Sequence, residues 1–168
     1  VSTYVTDIVI RNSTFNDNLG GAIYTHGGQG LNVKADVNIM NATFSNNETG
    51  NKASAIQFDS TAYAKIMNVT FSGNHSGNSS AIVLFDNLSR LNISYSTFAG
   101  NTSAVNYGVV RSPFIPDSVI IENSIFSENA TGTDCHFING QNISLVNNLS
   151  DDPTCGSQAV TGFDSNLG

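Results

Sequence analysis

Cleavage of a polysaccharide needs either a Lys or Arg base beside acids that hold Ca²⁺, or two to three carboxylates clustered around the bond to be broken. The acids to consider are Asp59, Asp86, Asp117, Glu122, Asp134, Asp151 and Asp152, and the bases are Lys34, Lys65, Arg90 and Arg111. No tight acid–base cluster forms among them at aligned positions. Asp59 and Asp86 stand 27 residues apart, one period of the repeat that organises the sequence, and are expected to stack one coil apart near Arg90 and Arg111. That is the best catalytic candidate, and isolated surface charge is its simpler reading. His26, His75 and His136 do not fall at metal-ligand spacing. Asp151-Asp152-Pro153 reads more simply as a turn than as a cation site. No catalytic residue, metal ligand or cofactor is assigned, and no enzyme activity is expected.

Covalent chemistry at asparagine and cysteine is better supported. Twelve Asn-x-Ser/Thr acceptor sequences occur, where composition alone gives about five. They begin at Asn12, Asn41, Asn47, Asn68, Asn74, Asn78, Asn87, Asn92, Asn101, Asn129, Asn142 and Asn148. Repeat copying explains Asn12, Asn41 and Asn68, but does less well for Asn78, Asn87 and Asn142. N-glycosylation, which requires a secreted protein and exposed acceptors, is the functional reading. The two cysteines, Cys135 and Cys155, are expected to form a disulfide outside the cell. It would close a loop of about 20 residues, worth roughly 3 kcal/mol.

The elements that position these residues follow from an internal repeat. Ile8–Asn18 reads IVIRNSTFNDN, and Val37–Asn47 reads VNIMNATFSNN. Ala64–Asn74, Leu91–Asn101 and Val119–Asn129 follow the same pattern, with a degenerate copy at Asn142–Leu149. Phenylalanine recurs at 15, 44, 71, 98 and 126, always with Ile five residues before and Asn three residues after. A second β-type run follows each motif, as in GAIY at Gly21–Tyr24 and CHFI at Cys135–Ile138. No apolar stripe of helical period appears.

Units this short cannot bury an apolar face alone, but stacked in register they can. The expected fold is all-β, a single-stranded right-handed parallel β-helix of about six coils, with the crossover hand set by strand twist. The Ile positions then form an aliphatic ladder and the Phe positions an aromatic stack. A β-sandwich is the weaker alternative. The invariant Asn of the motif is expected to face inward as an amide ladder. Asn47, Asn74, Asn101 and Asn129 are then structural, and the better glycan candidates are Asn12, Asn41, Asn68, Asn78, Asn87, Asn92 and Asn142. Thr14, Thr43, Thr70 and Thr97 align as an outer column. A flat threonine array that binds ice or a crystalline polymer is a minor reading; a solvent-facing strand of high β-propensity is the plainer one.

The FxxN motifs (Phe15–Asn18, Phe44–Asn47, Phe71–Asn74, Phe98–Asn101, Phe126–Asn129) and the single GGAI at Gly20–Ile23 resemble the repeats of polymorphic outer-membrane-protein-like β-helices. More broadly they resemble right-handed β-helices of the pectate-lyase type, over roughly residues 8–150. The resemblance implies the fold, and a group that includes adhesins, surface-layer parts and polysaccharide enzymes. Only one GGAI is complete, the others being SAI-like.

Charged residues are 11% of the total against about 25% in ordinary soluble domains. The net charge of −7 and the absence of a basic patch argue against nucleic acid and anionic membrane as partners. No apolar run approaches a spanning helix. The sequence opens on Val1 and reads as a mature or excised segment. Residues 1–150 are read as the repeat domain, and 151–168 as a Gly-rich tail tethered by the disulfide. Neither end shows an amphipathic capping helix. Two expectations follow with equal weight: copies stack end to end into a fibre, with Val160 and Phe163 of the tail docking on a neighbour, or the sequence is part of a longer solenoid. The reading reached is an extracellular, N-glycosylated structural or adhesive β-helix whose partners are its own copies, its glycans and a polysaccharide or cell surface. The alternative is a carbohydrate-binding or carbohydrate-cleaving β-helix domain.

Overall fold

The structure is a computed structural model that describes residues 7–26, 36–59, 63–77, 82–85, 90–103, 108–113, 117–130, 132–137, 142–156 and 158–159. The first coil contributes β1 (Asp7–Arg11), β2 (Thr14–Asn16) and β3 (Ile23–His26). The second gives β4 (Asp36–Ser45), β5 (Glu48–Thr49) and β6 (Ile56–Asp59), and the third β7 (Tyr63–Ser72), β8 (His75–Ser76) and β9 (Val83–Phe85). The fourth gives β10 (Arg90–Ser94), β11 (Thr97–Ala99), β12 (Thr102–Ser103) and β13 (Val110–Ser112). The fifth gives β14 (Ser118–Glu122), β15 (Ile125–Ser127) and β16 (Cys135–Phe137). The last gives β17 (Ile143–Val146) and β18 (Leu149–Ser150), then a 3₁₀ turn at Pro153–Cys155 and β19 (Gln158–Ala159).

Among the described residues every strand pair is parallel, and all except β18–β19 join a coil to the next. The fold is therefore an all-β parallel solenoid with three faces. The first face has six rungs, β1, β4, β7, β10, β14 and β17. The third has five, β3, β6, β9, β13 and β16. Counting motif copies counts rungs, and gives six; the solenoid closes about four turns. At the last rung the degenerate copy supplies β17 and β18, and the backbone then turns into the 3₁₀ segment.

The repeat sets the corners as well as the walls. Asn12, Asn41, Asn68, Tyr95, Asn123 and Asn147 all have φ between 51° and 55°. A second left-handed corner follows at Asp17, Asn46, Gly73, Gly100 and Glu128. Asn, Asp and Gly tolerate this conformation best, which is why the motif keeps them on either side of the Phe. Between the corners alternate residues point inward, as the period of a strand requires. Ile10, Ile39, Ile66, Ile93 and Ile121 pair in register down to Leu145. Phe15, Phe44, Phe71, Phe98 and Phe126 stack with centroids 4.6–5.1 Å apart and planes within 12°. That separation is the rung spacing of about 4.8 Å, so each ring fills one step.

Among the described residues the last rung is covered by side chains and a 3₁₀ turn. Ser150 takes the register position below Phe126, and Asp134 follows Ala55, Ile82 and Val109 in the same inner column. Ser150 Oγ donates to Asp134 Oδ2 at 2.6 Å. Cys135 and Cys155 form the expected disulfide, with Cα atoms 5.1 Å apart. Gly156, at φ 70°, lies so close over Leu145 that a Cβ there would clash with that side chain. β19 pairs with β18, so the tail begins as a further strand of the first face. Val160 and Phe163 lie outside the described residues.

Candidate functional site

Two asparagine columns run along one wall, separated by the Phe strand, and point to opposite sides of it. In the inner column Asn18 Nδ2 donates to Asn47 Oδ1 at 2.7 Å, Asn47 to Asn74 at 2.8 Å, Asn74 to Asn101 at 2.9 Å and Asn101 to Asn129 at 2.9 Å. Each Oδ1 from Asn47 to Asn129 also accepts the backbone N–H of the preceding Asn. Each Nδ2 from Asn47 onward also donates to the Phe carbonyl of the preceding coil. Both amide hydrogens and both oxygen lone pairs are thus used, the condition for burying such a group without penalty. Asn47, Asn74 and Asn101 are fully buried, so the inward orientation expected for the motif asparagines is the one observed.

The inner ladder ends on a carboxylate. Asn129 Nδ2 donates to Asp134 Oδ1 at 3.0 Å. Burial pushes the Asp134 carboxyl up; the Ser150 hydroxyl pulls it down, Asp152 and Asp151 push it up again, and the Asn129 amide opposes them. The result is a carboxyl that titrates at about 7. Asp152 caps the 3₁₀ turn by accepting from the Thr154 N–H at 2.7 Å, and its other oxygen accepts the Asp134 N–H at 2.7 Å. Asp151 accepts the Glu128 N–H at 2.6 Å. Of the candidate acids, these three are brought together, and their partners are donors of the cap.

The outer column holds exposed acceptor asparagines. Asn12, Asn41 and Asn68 are exposed and stand at the first corner of successive coils. Asn41 Nδ2 donates to Asn12 Oδ1 at 3.3 Å, and Asn68 Nδ2 to Asn41 Oδ1 at 2.9 Å. Tyr95 takes the next position and is 62% exposed. Asn142 is exposed and donates to the Asp117 carbonyl at 2.8 Å. Asn92 is half-buried on β10, and its Oδ1 is buried with no hydrogen-bond partner. Asn78 and Asn87 lie outside the described residues. Thr14, Thr43, Thr70 and Thr97 are in register beside the outer asparagines.

The remaining charged candidates are scattered. Asp117 and Arg90 are exposed; Glu122, Lys65 and Arg111 are half-buried on different rungs. The backbone of Asp59 pairs with His26, while Asp86 and Lys34 lie outside the described residues. His75 Nδ1 contacts Thr102 Oγ1 at 2.6 Å, and His136 is in register with Arg111. Among the described residues no group of three His, Cys, Asp or Glu could hold a metal ion. The fold also forms a cleft that the repeat alone does not indicate. Gly20–Tyr24, Lys52, Ala53 and Gln57 line it, with Lys52 Nζ 4.4 Å from the centre of the Tyr24 ring. Gln57 Oε1 is buried there without a partner. The GGAI sequence marks the spot, but Lys52 comes from the next coil, which spacing along the sequence does not reveal.

No helix among the described residues is long and apolar enough to cross a membrane. Comparison with family models matches residues 1–167 to the right-handed β-helix region. No curated protein and no solved structure matches the sequence. The family match spans the same coils whose parallel register, stacked phenylalanines and inner amide ladder define the solenoid, and the protein belongs to the right-handed β-helix family.

Proposed function

We propose that this protein is an extracellular, N-glycosylated β-helix with a structural or adhesive role. One observation carries the reading. The wall bears acceptor asparagines on both sides, and those repeated on its solvent side, Asn12, Asn41 and Asn68, are exposed at successive corners. The disulfide supports an oxidising compartment. The inner ladder and Phe stack make the coils a stiff rod, suited to holding a sugar-bearing surface away from its anchor. Self-association by end-to-end stacking belongs to the same proposal. The inner ladder starts at Asn18, whose Nδ2 donates to Asn47, and its other end is accepted by Asp134 Oδ1.

The deciding experiment is intact mass of the secreted protein before and after N-glycan removal, with negative-stain imaging of the same sample. A mass above 17.7 kDa that falls on deglycosylation supports the glycoprotein; filaments support the stacking. An unmodified mass with single particles overturns both. The second reading, carbohydrate binding, is favoured by the cleft at Tyr24, Lys52 and Gln57, which offers an aromatic face, a cation and an unpaired acceptor. Glycan-array binding lost in Tyr24→Ala but not in Tyr95→Ala would support it, and binding unaltered in Tyr24→Ala would exclude this cleft.

A further inference from the structure

The outer column limits how many glycans the folded protein can carry. Asn12, Asn41 and Asn68 are in adjacent coils, each in the left-handed conformation, each exposed, and joined amide to amide. Their attachment nitrogens are thus one rung apart, about 4.8 Å. Glycosylation joins Nδ2 to the anomeric carbon of a diphosphate-activated oligosaccharide. It breaks the bond from that carbon to the diphosphate oxygen and releases one Nδ2 proton. The remaining N–H lies opposite the amide carbonyl of the same residue, so it can keep donating to the neighbouring Oδ1. The sugar then projects sideways into solvent. A glycan at one position therefore leaves the ladder intact, and the restriction is lateral. One rung is about the thickness of a single pyranose ring, and a branched oligosaccharide is wider.

We propose that neighbouring rungs of this column exclude one another as glycan sites in the folded protein. Branched glycans occupy Asn12 and Asn68 with Asn41 bare, or Asn41 with both neighbours bare. The first pattern prevails, because Asn41 has two acceptor neighbours. Asn68 has only one, its other neighbour being Tyr95, which starts no acceptor sequence. This inference rests on the proposal that the protein is N-glycosylated.

The test uses the full-length protein secreted from a eukaryotic host. Enzymatic deglycosylation in heavy-oxygen water converts each occupied Asn to a labelled Asp, and peptide mass spectrometry gives fractional occupancy at every acceptor. The fractions at Asn41 and Asn68 are expected to sum to no more than one, and likewise those at Asn12 and Asn41. Thr14→Ala combined with Thr70→Ala removes the flanking acceptor sequences but keeps the asparagine ladder, and should raise Asn41 occupancy several-fold. Either sum above one overturns the exclusion. So does an Asn41 occupancy unchanged in the double variant, which would make Asn41 a poor acceptor in its own right. Sugar found elsewhere, with all three positions bare in the parent and in the variant, also overturns it while leaving the glycoprotein proposal standing. A wholly unmodified protein overturns both.

Discussion

Asn68 and Asn74 belong to the same coil, both begin an Asn-x-Ser/Thr sequence, and they point to opposite sides of the wall. Asn68 is exposed at a left-handed corner with φ 54°. Asn74 is fully buried and joined to Asn47, Asn101 and the Phe44 carbonyl. The acceptor sequence is the same; burial separates the roles. The Asn68 amide faces solvent, whereas the Asn74 amide is committed to its neighbours.

The pair predicts unequal costs. Asn74→Ala strands the Asn47 N–H and one Asn47 Nδ2 hydrogen in the interior and removes the side-chain donor to the Phe44 carbonyl. Orphaned buried groups cost about 1–3 kcal/mol each, so a loss of about 3 kcal/mol or more is expected. Asn68→Gly keeps the backbone conformation and loses one exposed hydrogen bond. Its expected cost is below about 1 kcal/mol. Urea unfolding of the two variants checks this, and equal losses would contradict the division between inner and outer columns.

Phe71 is the middle rung of the aromatic stack, between Phe44 at 5.1 Å and Phe98 at 4.6 Å. Phe71→Ala leaves a void that neighbouring coils cannot close without breaking register, and should cost about 3–5 kcal/mol. Among the described residues Phe15 stacks on Phe44 alone, and it is only partly buried. Phe15→Ala should therefore cost distinctly less. Thermal melts of both variants test whether stability is shared along the stack or concentrated at its centre.

The repeat makes the walls legible because its period sets the register. Identical Ile, Phe and Asn positions in five copies define three ladders without any knowledge of the turns. The C-terminal cap is not legible for the converse reason. Ser150, Asp134 and Gly156 occupy ladder positions with residues unlike those above them, so a pattern built on identity does not see them. Among the described residues the last rung is covered by one hydroxyl, one carboxyl and a disulfide. Similarly, the cleft at Tyr24 depends on Lys52, one coil away.

The disulfide fastens that cap to the third face. Cys135 lies on β16, and Cys155 ends the 3₁₀ turn that covers the last rung. Opening a loop of this length should lower stability by about 3 kcal/mol. Cys135→Ala with Cys155→Ala should unfold at lower urea than the parent. Hydrogen exchange should show the gain in opening concentrated in 132–156. A uniform gain along the solenoid would instead mean that the coils unfold as one unit.

Asp134 makes the same cap sensitive to pH. Its carboxyl titrates at about 7 in the folded protein against an ordinary 3.8. Between those values the folded protein holds a proton that the unfolded one has released. Stability therefore falls as pH rises through this window. The contribution is fully present below the ordinary value and lost as pH passes about 7. This is opposite in sign to a carboxylate paired with a cation, which stabilises the fold when ionised. The physical cause is the site: Asp134 occupies a position held by aliphatic residues in earlier coils, with Asp151 and Asp152 nearby. Asp134→Asn keeps an oxygen for the Asn129 amide and removes the titration. Urea midpoints from pH 4 to 8 should decline for the parent and stay flatter for the variant. A parent that instead gains stability across this range would mean that Asp134 is ionised in the fold and that the cap is held by charge.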